Sequence, residues 1–244
     1  MEVYLNRIDG IDDAIISMYL SKRTLTRSLE MEIRDEVAEN SFMHISPDGA
    51  IGRLTDGSGK LKEWLTRLCR WGTQHITLLR FVDLSFTVYG MHRAGQDDID
   101  AHAMRMNNRI IRSSTRLADF SQGETSAYYA DKIIPTDIAL AYLGIATPDE
   151  IEYQGKMYVR GTNGYILKGM ENNRDIKRGL YMLSIPSNFI FRINLTEFAH
   201  VYKERNVNGG ANPEVMQAAE SMADQVEKAS LGFFNRQLLL DIKN

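Results

Sequence analysis

Four arginines lie close together in the middle of the chain, where they could bind an anion. They are Arg105, Arg109, Arg112 and Arg116, and residues 101–118 contain no carboxylate. Spacings of four, three and four residues would place the guanidinium groups on one face of a helix, and a partly looped segment could still direct them at one anion. Two interpretations follow, a solvated basic face or a phosphate-binding site. The second would be helped by short polar neighbours, namely Asn107, Asn108, Ser113, Ser114 and Thr115.

The chain as a whole is not basic, which limits the kind of anion it could bind. Its 244 residues include 29 Lys and Arg against 32 Asp and Glu, for a formal net charge of -3. Proteins that bind nucleic-acid polymers or anionic membrane surfaces need a net basic face. The composition therefore argues against both partners, and the arginine stretch is better suited to a small anion.

Cysteine usage and apolar runs favour a cytoplasmic location. The single cysteine, Cys69, cannot form an internal disulfide. No apolar run approaches the roughly 20 residues that span a bilayer, and the first residues, MEVYLNRIDG, lack the pattern of a signal peptide. Cys69 shares one face of the predicted helix GKLKEWLTRLCRWG with Leu61, Trp64, Leu65 and Leu68, so we expect a buried thiol that packs as a small hydrophobe.

The strands that could position these residues are short. MEVYLNRI alternates as a strand and ends at Asp9-Gly10, the stretch after Phe81 alternates up to Tyr89, and SNFIFRINL forms another run. Residues 150–168, with Gly-Thr-Asn-Gly near their middle, predict a β-hairpin. Residues 40–60 are rich in turn formers and predict loops, with a hairpin as an open alternative.

Helical periodicity occupies much of the remaining chain. Helices are predicted over residues 12–21, 26–40, 59–72, 135–143, 173–182, 196–205 and 213–228, and from Asp97 or Asp98 into the arginine stretch. There is no internal repeat and no low-complexity linker. We therefore predict a single domain over residues 1–244, with an α+β fold in which a short, mainly antiparallel sheet is flanked by helices.

Two stretches carry motifs that can be compared with a known family. The stretch from Arg178 reads RGLYMLSIPSNFIFRINLTEFAHVYKERNVNGGANPEVM, and the stretch from Leu78 reads LLRFVDLSFTVYGMHR. The first resembles the C-terminal core of the flavin-dependent thymidylate synthases, with N-A-R-S-L, L-R and H-A-Q-W-E-I-R after an aromatic strand. The second is similar over its whole length to that family's P-F-E-H-V-S-F-T-F-E-I-E-G-V-S-R. The resemblance is strongest over residues 78–216.

Individual positions match the family to different degrees. Arg178, Asn194 and Arg205 fall at the family's spacing without a gap, and Asn212 matches after one inserted residue. The family signature R-H-R-x-x-S-x-N-E-x-S-x-R-Y falls on the arginine stretch. One register keeps Ser114 and Arg116 and puts Met104, Arg105 and Met106 in the place of R-H-R, whereas an ungapped register keeps His102 and Asn108. The chain also departs from the family where Phe81 replaces a flavin-contacting His, Thr196 an Arg, and His200 an Asn.

The resemblance implies reductive methylation of dUMP to dTMP, with FAD as cofactor and with methylenetetrahydrofolate and NADPH as co-substrates. Arg205 would bind the uracil edge as the catalytic electrostatic activator. The other implied dUMP-binding residues are Ser114, Arg116, Arg178 and Arg105. The implied FAD-binding residues are Asn194, His200, Asn212 and His75. The resemblance also implies a homotetramer with active sites between subunits.

Simpler interpretations of the same residues stay open. Arg178 and Arg205 could be surface ion pairs or helix-end charges, and Asn194 could be an ordinary helix cap. A relative that modifies another pyrimidine nucleotide, or a non-catalytic nucleotide-binding homologue, would be alternatives to a thymidylate synthase. The conventional route to dTMP needs a cysteine thiolate, whereas the flavin-dependent route needs no protein nucleophile and is compatible with a buried Cys69.

Overall fold

A computed structural model gives an α+β fold with two small antiparallel sheets and helices, as predicted. It describes residues 1–40, 59–102, 109–114, 126–130, 132–134, 136–161, 163–173, 176–177, 179–209 and 211–243. The chain divides into two compact units. The first unit contains Met1 and residues 89–96 and 112–189, and the second contains residues 2–88, 97–111 and 190–244. The single domain over residues 1–244 stays a prediction.

The strands form two separate sheets. In chain order they are β1 (Glu2–Asp9), β2 (Asp83–His92), β3 (Arg109–Arg112), β4 (Glu150–Tyr153), β5 (Lys156–Gly161), β6 (Gly164–Leu167) and β7 (Pro186–Asn194). The four-stranded sheet has the order β1-β2-β7-β3, and the three-stranded sheet has the order β4-β5-β6. Strands far apart in the chain are therefore neighbours in the first sheet, whereas the second sheet is built from consecutive strands.

The helices largely follow the predicted periodicity. They are α1 (Ile11–Ser21), α2 (Arg27–Glu39), α3 (Gly59–Gly72), α4 (Arg93–His102), α5 (Thr136–Tyr142), α6 (Leu195–Asn206), α7 (Pro213–Ala229) and α8 (Arg236–Asp241), with a short 3-10 helix at Ile76–Phe81. The sequence did not predict α8 or the 3-10 helix. Of the helix predicted over residues 173–182, residues 176–177 are helical and 181–182 are irregular. Most of the predicted loop at residues 40–60 lies outside the described residues.

Helix α4 begins at Arg93, four to five residues before the predicted start at Asp97 or Asp98. Its first N–H groups are satisfied by tertiary partners, since Arg93 N donates to Ile185 O at 3.1 Å and Ala94 N donates to Leu183 O at 3.2 Å. Backbone carbonyls of a distant segment thus replace a side-chain cap as acceptors for these N–H groups. The prediction was wrong because it looked for a capping residue within the local sequence.

The arginine stretch is not a continuous helix. Residues Arg109–Arg112 form strand β3, so the helical interpretation is wrong for Arg109 and Arg112. Side chains three residues apart on a strand point to opposite faces, and Arg109 lies 3.6 Å from Asp83. Ile110 and Ile111 favour a strand. Ser113, the residue after β3, donates its N–H to Asn188 O at 2.8 Å. Arg105 and Arg116 lie outside the described residues.

The predicted hairpin at residues 150–168 is confirmed and is part of a three-stranded sheet. Strands β5 and β6 pair antiparallel up to Gly161 and Gly164, as the Gly-Thr-Asn-Gly signal indicated. Strand β4 pairs with β5 across a tight turn at Gln154 and Gly155, whose φ angles are 53° and 71°. Two consecutive positive φ angles belong to the turn type that joins neighbouring strands of a hairpin.

The core of the second unit positions helix α6. Phe86 of β2 packs against Phe198 of α6 with ring centroids 5.6 Å apart, and both are fully buried. Leu195 N donates to Val82 O at 2.8 Å, so the first turn of α6 is tied to the residue before β2. Helix α6 is therefore anchored at its start and packed against β2 along its body.

Cys69 is half-buried on α3, so the prediction of a buried thiol holds only in part. Its Sγ lies 3.4 Å from Phe233 O, to which it donates a hydrogen bond. Burial raises the pKa of Cys69 to about 12. The raised pKa favours the protonated thiol at neutral pH and disfavours the thiolate that nucleophilic attack requires.

Candidate functional site

Arg205 is a buried cation in the last turn of α6. Arg205 is only 8% exposed, and its Nη2 donates a hydrogen bond to the backbone carbonyl of Asp98 on α4. Within the part of the chain that the structure describes, Nε has no hydrogen-bond partner and no carboxylate lies within ion-pair distance. Arginine is rarely buried without a counter-charge. A surface ion pair, one of the simpler alternatives, is thus not what the described residues show, whereas the position of Arg205 in the last turn of α6 is that of the other alternative, a helix-end charge.

Asn194 lies at the opposite end of the same helix and caps it. Its Oδ1 accepts hydrogen bonds from Glu197 N at 3.0 Å and from Thr196 Oγ1 at 2.6 Å, and the residue is 5% exposed. The interpretation of Asn194 as an ordinary helix cap therefore describes its oxygen correctly. At 1.5 Å per residue, Asn194 and Arg205 are separated by roughly 16 Å along α6.

The other predicted flavin-binding residues occupy three different elements. His200 lies half-buried on α6, and Asn212 caps α7 by accepting a hydrogen bond from Glu214 N at 2.9 Å. His75 precedes the 3-10 helix and is exposed, and its ring stacks on Trp71 with centroids 5.7 Å apart. All of these residues belong to the second unit.

The predicted phosphate-binding residues are mostly outside the described residues. Arg105, Arg116 and Arg178 are among those that the structure does not describe, so their roles stay predictions. Ser114 is described, lies in the first unit just after β3 and is half-buried. The structure thus places Asn194, His200 and Arg205 on one helix, and it does not test whether the four phosphate-side residues meet.

The first unit contains a cleft of about 530 Å³ that sequence reasoning missed. Two cations line it, Arg160 of β5 and Lys177, and neither forms an ion pair among the described residues. Lys177 directly precedes the predicted dUMP ligand Arg178. The remaining lining residues are Asp137, Asp149, Val159, Gly161, Ile166, Glu171, Asn172, Leu180 and Tyr181. A cleft of this volume can hold a small polar molecule.

Gly161 lines this cleft, and the pair Gly161 and Gly164 is the sequence signal that could have found it. A Cβ on Gly161 would lie 3.1 Å from Leu180 Cδ1, and a Cβ on Gly164 would lie 2.9 Å from Leu180 Cδ2. These glycines were assigned only to the hairpin turn. Their second effect, the close approach of Leu180, depends on a residue outside the hairpin and cannot be deduced from local sequence.

The described residues contain neither a metal-binding cluster nor a membrane-spanning helix. No group of three or more His, Cys, Asp or Glu side chains there is arranged to hold a metal ion. None of the helices in that part of the chain is both long enough and apolar enough to cross a membrane.

Comparison with known proteins identifies the fold. The chain is similar to thymidylate synthase X (ThyX) from Helicobacter pylori with FAD and dUMP, at 15% identity and a TM-score of 0.55, over 98% of this chain and 99% of that one. A second structure of the Helicobacter pylori enzyme complexed with FAD and dUMP has 13% identity and a TM-score of 0.54, over 100% of both chains. The chain has the thymidylate synthase X fold.

The remaining comparisons do not extend the likeness beyond the fold. The UMP/dUMP methylase PolB from Streptomyces cacaoi is similar at 13% identity over 96% of this chain and 92% of that one, but its TM-score of 0.49 is too low to support an argument. No protein-family model matches the chain, and no curated protein matches it. The thymidylate synthase X resemblance is therefore one of fold, and the reaction, the FAD site and the homotetramer stay predictions.

Two of the residues that the resemblance assigns to FAD already use their side-chain oxygens within this chain. The side-chain oxygens of Asn194 and Asn212 are used as helix caps, and Asn194 is almost inaccessible. Phe81 occupies the place of a flavin-contacting His, and its exposed ring cannot accept a hydrogen bond. The thymidylate synthase X fold is thus retained while several polar contacts expected for the flavin are missing or already in use.

Proposed function

We propose that this protein binds a uridine monophosphate nucleotide and is an enzyme of the flavin-dependent thymidylate synthase type, converting dUMP to dTMP. Methylenetetrahydrofolate would supply the one-carbon unit and a nicotinamide, NADPH, the reducing equivalents, with FAD as cofactor. The observation that carries the proposal is Arg205, a buried guanidinium whose Nε has no partner among the described residues. It occupies the position that the family uses for the uracil edge.

The geometry of Arg205 suits recognition of an acceptor-rich heterocycle. Its hydrogen bond to Asp98 O holds the guanidinium plane in place, and Nε remains a directed donor. A uracil oxygen placed against the guanidinium would supply the acceptor that a buried arginine otherwise lacks, and the fixed plane would favour one orientation of the ring. Because Nε itself is closed off from solvent, the side chains around it would have to move for the oxygen to reach it. Charge that develops on that oxygen during the reaction would then be stabilised by a donor already in position.

The state of Cys69 agrees with a route that uses no protein nucleophile. Attack of a thiolate on the pyrimidine would need an ionised cysteine, and burial raises the pKa of Cys69 to about 12. A bound flavin would supply the electron chemistry. The part left to this chain is to bind and orient the nucleotide and to exclude water, and that part can be tested without the flavin.

A non-catalytic nucleotide-binding homologue is the second candidate. It is favoured by the capping roles of Asn194 and Asn212 and by Phe81 in the place of a histidine. Such a protein would keep Arg205 and bind the nucleotide without the cofactor. A relative that acts on another pyrimidine nucleotide would keep Arg205 as well and would differ in its preferred ligand.

Calorimetric titration of the purified protein with dUMP tests the proposal. We expect wild-type binding, a loss of at least tenfold in Arg205→Lys, and wild-type binding in the matched control Arg67→Lys, an exposed arginine on α3. Absence of dUMP binding in the wild type would contradict the proposal. Bound flavin seen by its visible absorbance, together with dTMP formation, separates the enzyme from the binding homologue.

A further inference from the structure

The last turn of helix α6, which contains Arg205, is held by a carboxylate of helix α7. Glu220 Oε2 accepts hydrogen bonds from Tyr202 Oη at 3.0 Å and from Asn206 Nδ2 at 3.2 Å. Tyr202 and Asn206 are four residues apart, so they lie on one face of α6, and Arg205 lies between them in the sequence. One side chain of α7 thus contacts α6 on both sides of the residue proposed to bind uracil.

The other oxygen of Glu220 holds the carboxylate itself in place. Oε1 accepts a hydrogen bond from Arg236 Nε at 2.7 Å, and Arg236 Nη1 donates to Glu227 Oε2 at 2.7 Å. The hydrogen bond to Glu220 raises the pKa of Arg236. The Glu220 carboxylate therefore has a cationic partner on α8 and two neutral donors on α6.

The amide of Asn206 has one favoured orientation in this network. Its Nδ2 donates both to Glu220 Oε2 and to Met216 O, each at 3.2 Å. A flipped amide would place Oδ1 against two acceptors, so these partners select the orientation seen. The residue that follows Arg205 is therefore tied to α7 at two points.

The direction of Arg205 Nε depends on the backbone that carries it. Helix ends fray, because the last turn lacks part of the hydrogen bonding that stabilises the interior of a helix. Arg205 lies in the last turn of α6, and its Nη2 is held by Asp98 O. A bond at Nη2 fixes one end of the guanidinium, and the position of the last turn fixes the other. A contact that immobilises this turn therefore helps to direct Nε.

Glu220 has more influence on orientation than on stability. The side chains of Glu220 and Arg236 are 45% and 34% exposed. Ion pairs at this exposure are screened by solvent and add little to the unfolding free energy. Water can also replace the carboxylate as a partner of the α6 donors at a partly exposed site. Variants that lack the carboxylate should therefore fold.

We propose that Glu220 is a positioning residue for Arg205 in nucleotide binding. It acts through the last turn of α6 and does not itself contact the nucleotide. This inference rests on the proposed function, because it assigns Glu220 to the same site. Removal of the carboxylate should loosen the last turn of α6 and should weaken dUMP binding only while Arg205 is present.

Hydrogen exchange tests the structural part of this inference without a nucleotide. The N–H of Val207 donates to Lys203 O at 2.9 Å and reports on the last turn of α6. We expect Glu220→Ala to speed its exchange by roughly tenfold or more. The matched control Glu227→Ala should leave the exchange unchanged. Glu227 pairs with Arg236 and, within the described part of the chain, its carboxylate forms no hydrogen bond to α6.

Calorimetric titration with dUMP tests whether Glu220 acts through Arg205. We expect Glu220→Ala to weaken binding by roughly tenfold and Glu227→Ala to bind as the wild type does. In the Arg205→Lys background, Glu220→Ala should add no further loss, because the effects of residues that act as a unit are not additive. Tyr202→Phe removes one of the three donors to the carboxylate and should give a smaller loss than Glu220→Ala.

The outcomes separate this inference from the proposed function. Wild-type exchange in Glu220→Ala, or an equal change in Glu227→Ala, overturns the inference whether or not the chain binds dUMP. Additive losses in the double variant overturn it while dUMP binding by the wild type still supports the proposed function. An unfolded Glu220→Ala, seen by circular dichroism, overturns it too, since the carboxylate would then support the whole fold. A wild type that does not bind dUMP contradicts the proposed function and the binding role of Glu220 together.

Discussion

Arg205 is the residue whose chemistry contributes most to the proposed function. Arg205→Lys keeps the charge but replaces a planar fork by a point charge, which cannot reproduce a directed Nε donor held in place through Asp98 O. We expect kcat/KM for dUMP to fall by roughly 100-fold, about 2.7 kcal/mol of transition-state stabilisation. Steady-state dTMP formation in the presence of FAD measures this. Wild-type kinetics in Arg205→Lys would mean that the arginine only packs.

Cys69 is expected to affect stability and not turnover. Cys69→Ser should leave dTMP formation within a few fold, because a thiol with a pKa of about 12 is not ionised during the reaction. A loss of a thousandfold in a folded variant would falsify the flavin-type mechanism. In the folded state the pKa is raised, so the contribution of the thiol to stability is complete below the unfolded pKa of about 8.5 and is lost as the pH rises toward 12.

The predicted loss of stability with rising pH can be measured directly. Urea unfolding of the wild type and of Cys69→Ser at pH 7 and pH 10 should show a steeper loss of unfolding free energy with pH in the wild type. Equal pH dependence in the two proteins would show that the thiol is more accessible than its contact with Phe233 O indicates.

At the scale of elements, Asn194 caps the start of α6, and substitutions there can separate this structural role from a contact with the flavin. Asn194→Ala should lower the unfolding free energy by about 1 kcal/mol through loss of the cap, and Asn194→Asp should restore it, since Asp caps equally well. Asn235→Ala, which removes the equivalent cap of α8, is the matched control. Flavin binding that is lost in Asn194→Asp at full stability would assign Asn194 a contact with the cofactor in addition to its cap.

The start of α1 depends on a glycine. Gly10 has φ of 74°, and a Cβ there would lie 2.0 Å from Phe81 O, a backbone atom that cannot easily move. Gly10→Ala should therefore destabilise the protein by about 2 kcal/mol or more. Gly59→Ala, at the first residue of α3 with nothing within 4 Å of the added Cβ, should leave the stability unchanged or raise it by up to about 1 kcal/mol. Equal losses in thermal unfolding would contradict this reasoning.

At the scale of the whole molecule, ligand binding should raise the unfolding free energy of the chain. A nucleotide that binds only the folded chain adds about 2.7 kcal/mol at 100 times its Kd, which for a chain of this length corresponds to a rise in Tm of roughly 5–10 °C. We expect this rise with dUMP for the wild type and Arg67→Lys, and a much smaller one for Arg205→Lys. An equal rise for all three proteins would place the nucleotide away from Arg205.

Much of the fold could be predicted from the sequence alone, because the relevant signals are local. The periodicities of α1, α2, α3, α6 and α7 and the Gly-Thr-Asn-Gly turn between β5 and β6 are determined within a few residues. The cap at Asn194 stood as an alternative to a flavin contact, whereas the cap at Asn212 was not predicted. The family resemblance carried by the motifs over residues 78–216 implied a fold that the comparisons confirm.

Tertiary structure decided the features that depend on distant partners. Helix α4 starts at Arg93 because carbonyls of residues 183 and 185 accept its first N–H groups. Residues Arg109–Arg112 are a strand because the four-stranded sheet offers them a neighbour, β7, which a helical periodicity cannot reveal. The burial of Arg205, the cleft beside Leu180 and the contact of Glu220 with the end of α6 likewise depend on which segments pack together. Side-chain spacing predicts which residues share a face, and only packing determines what that face meets.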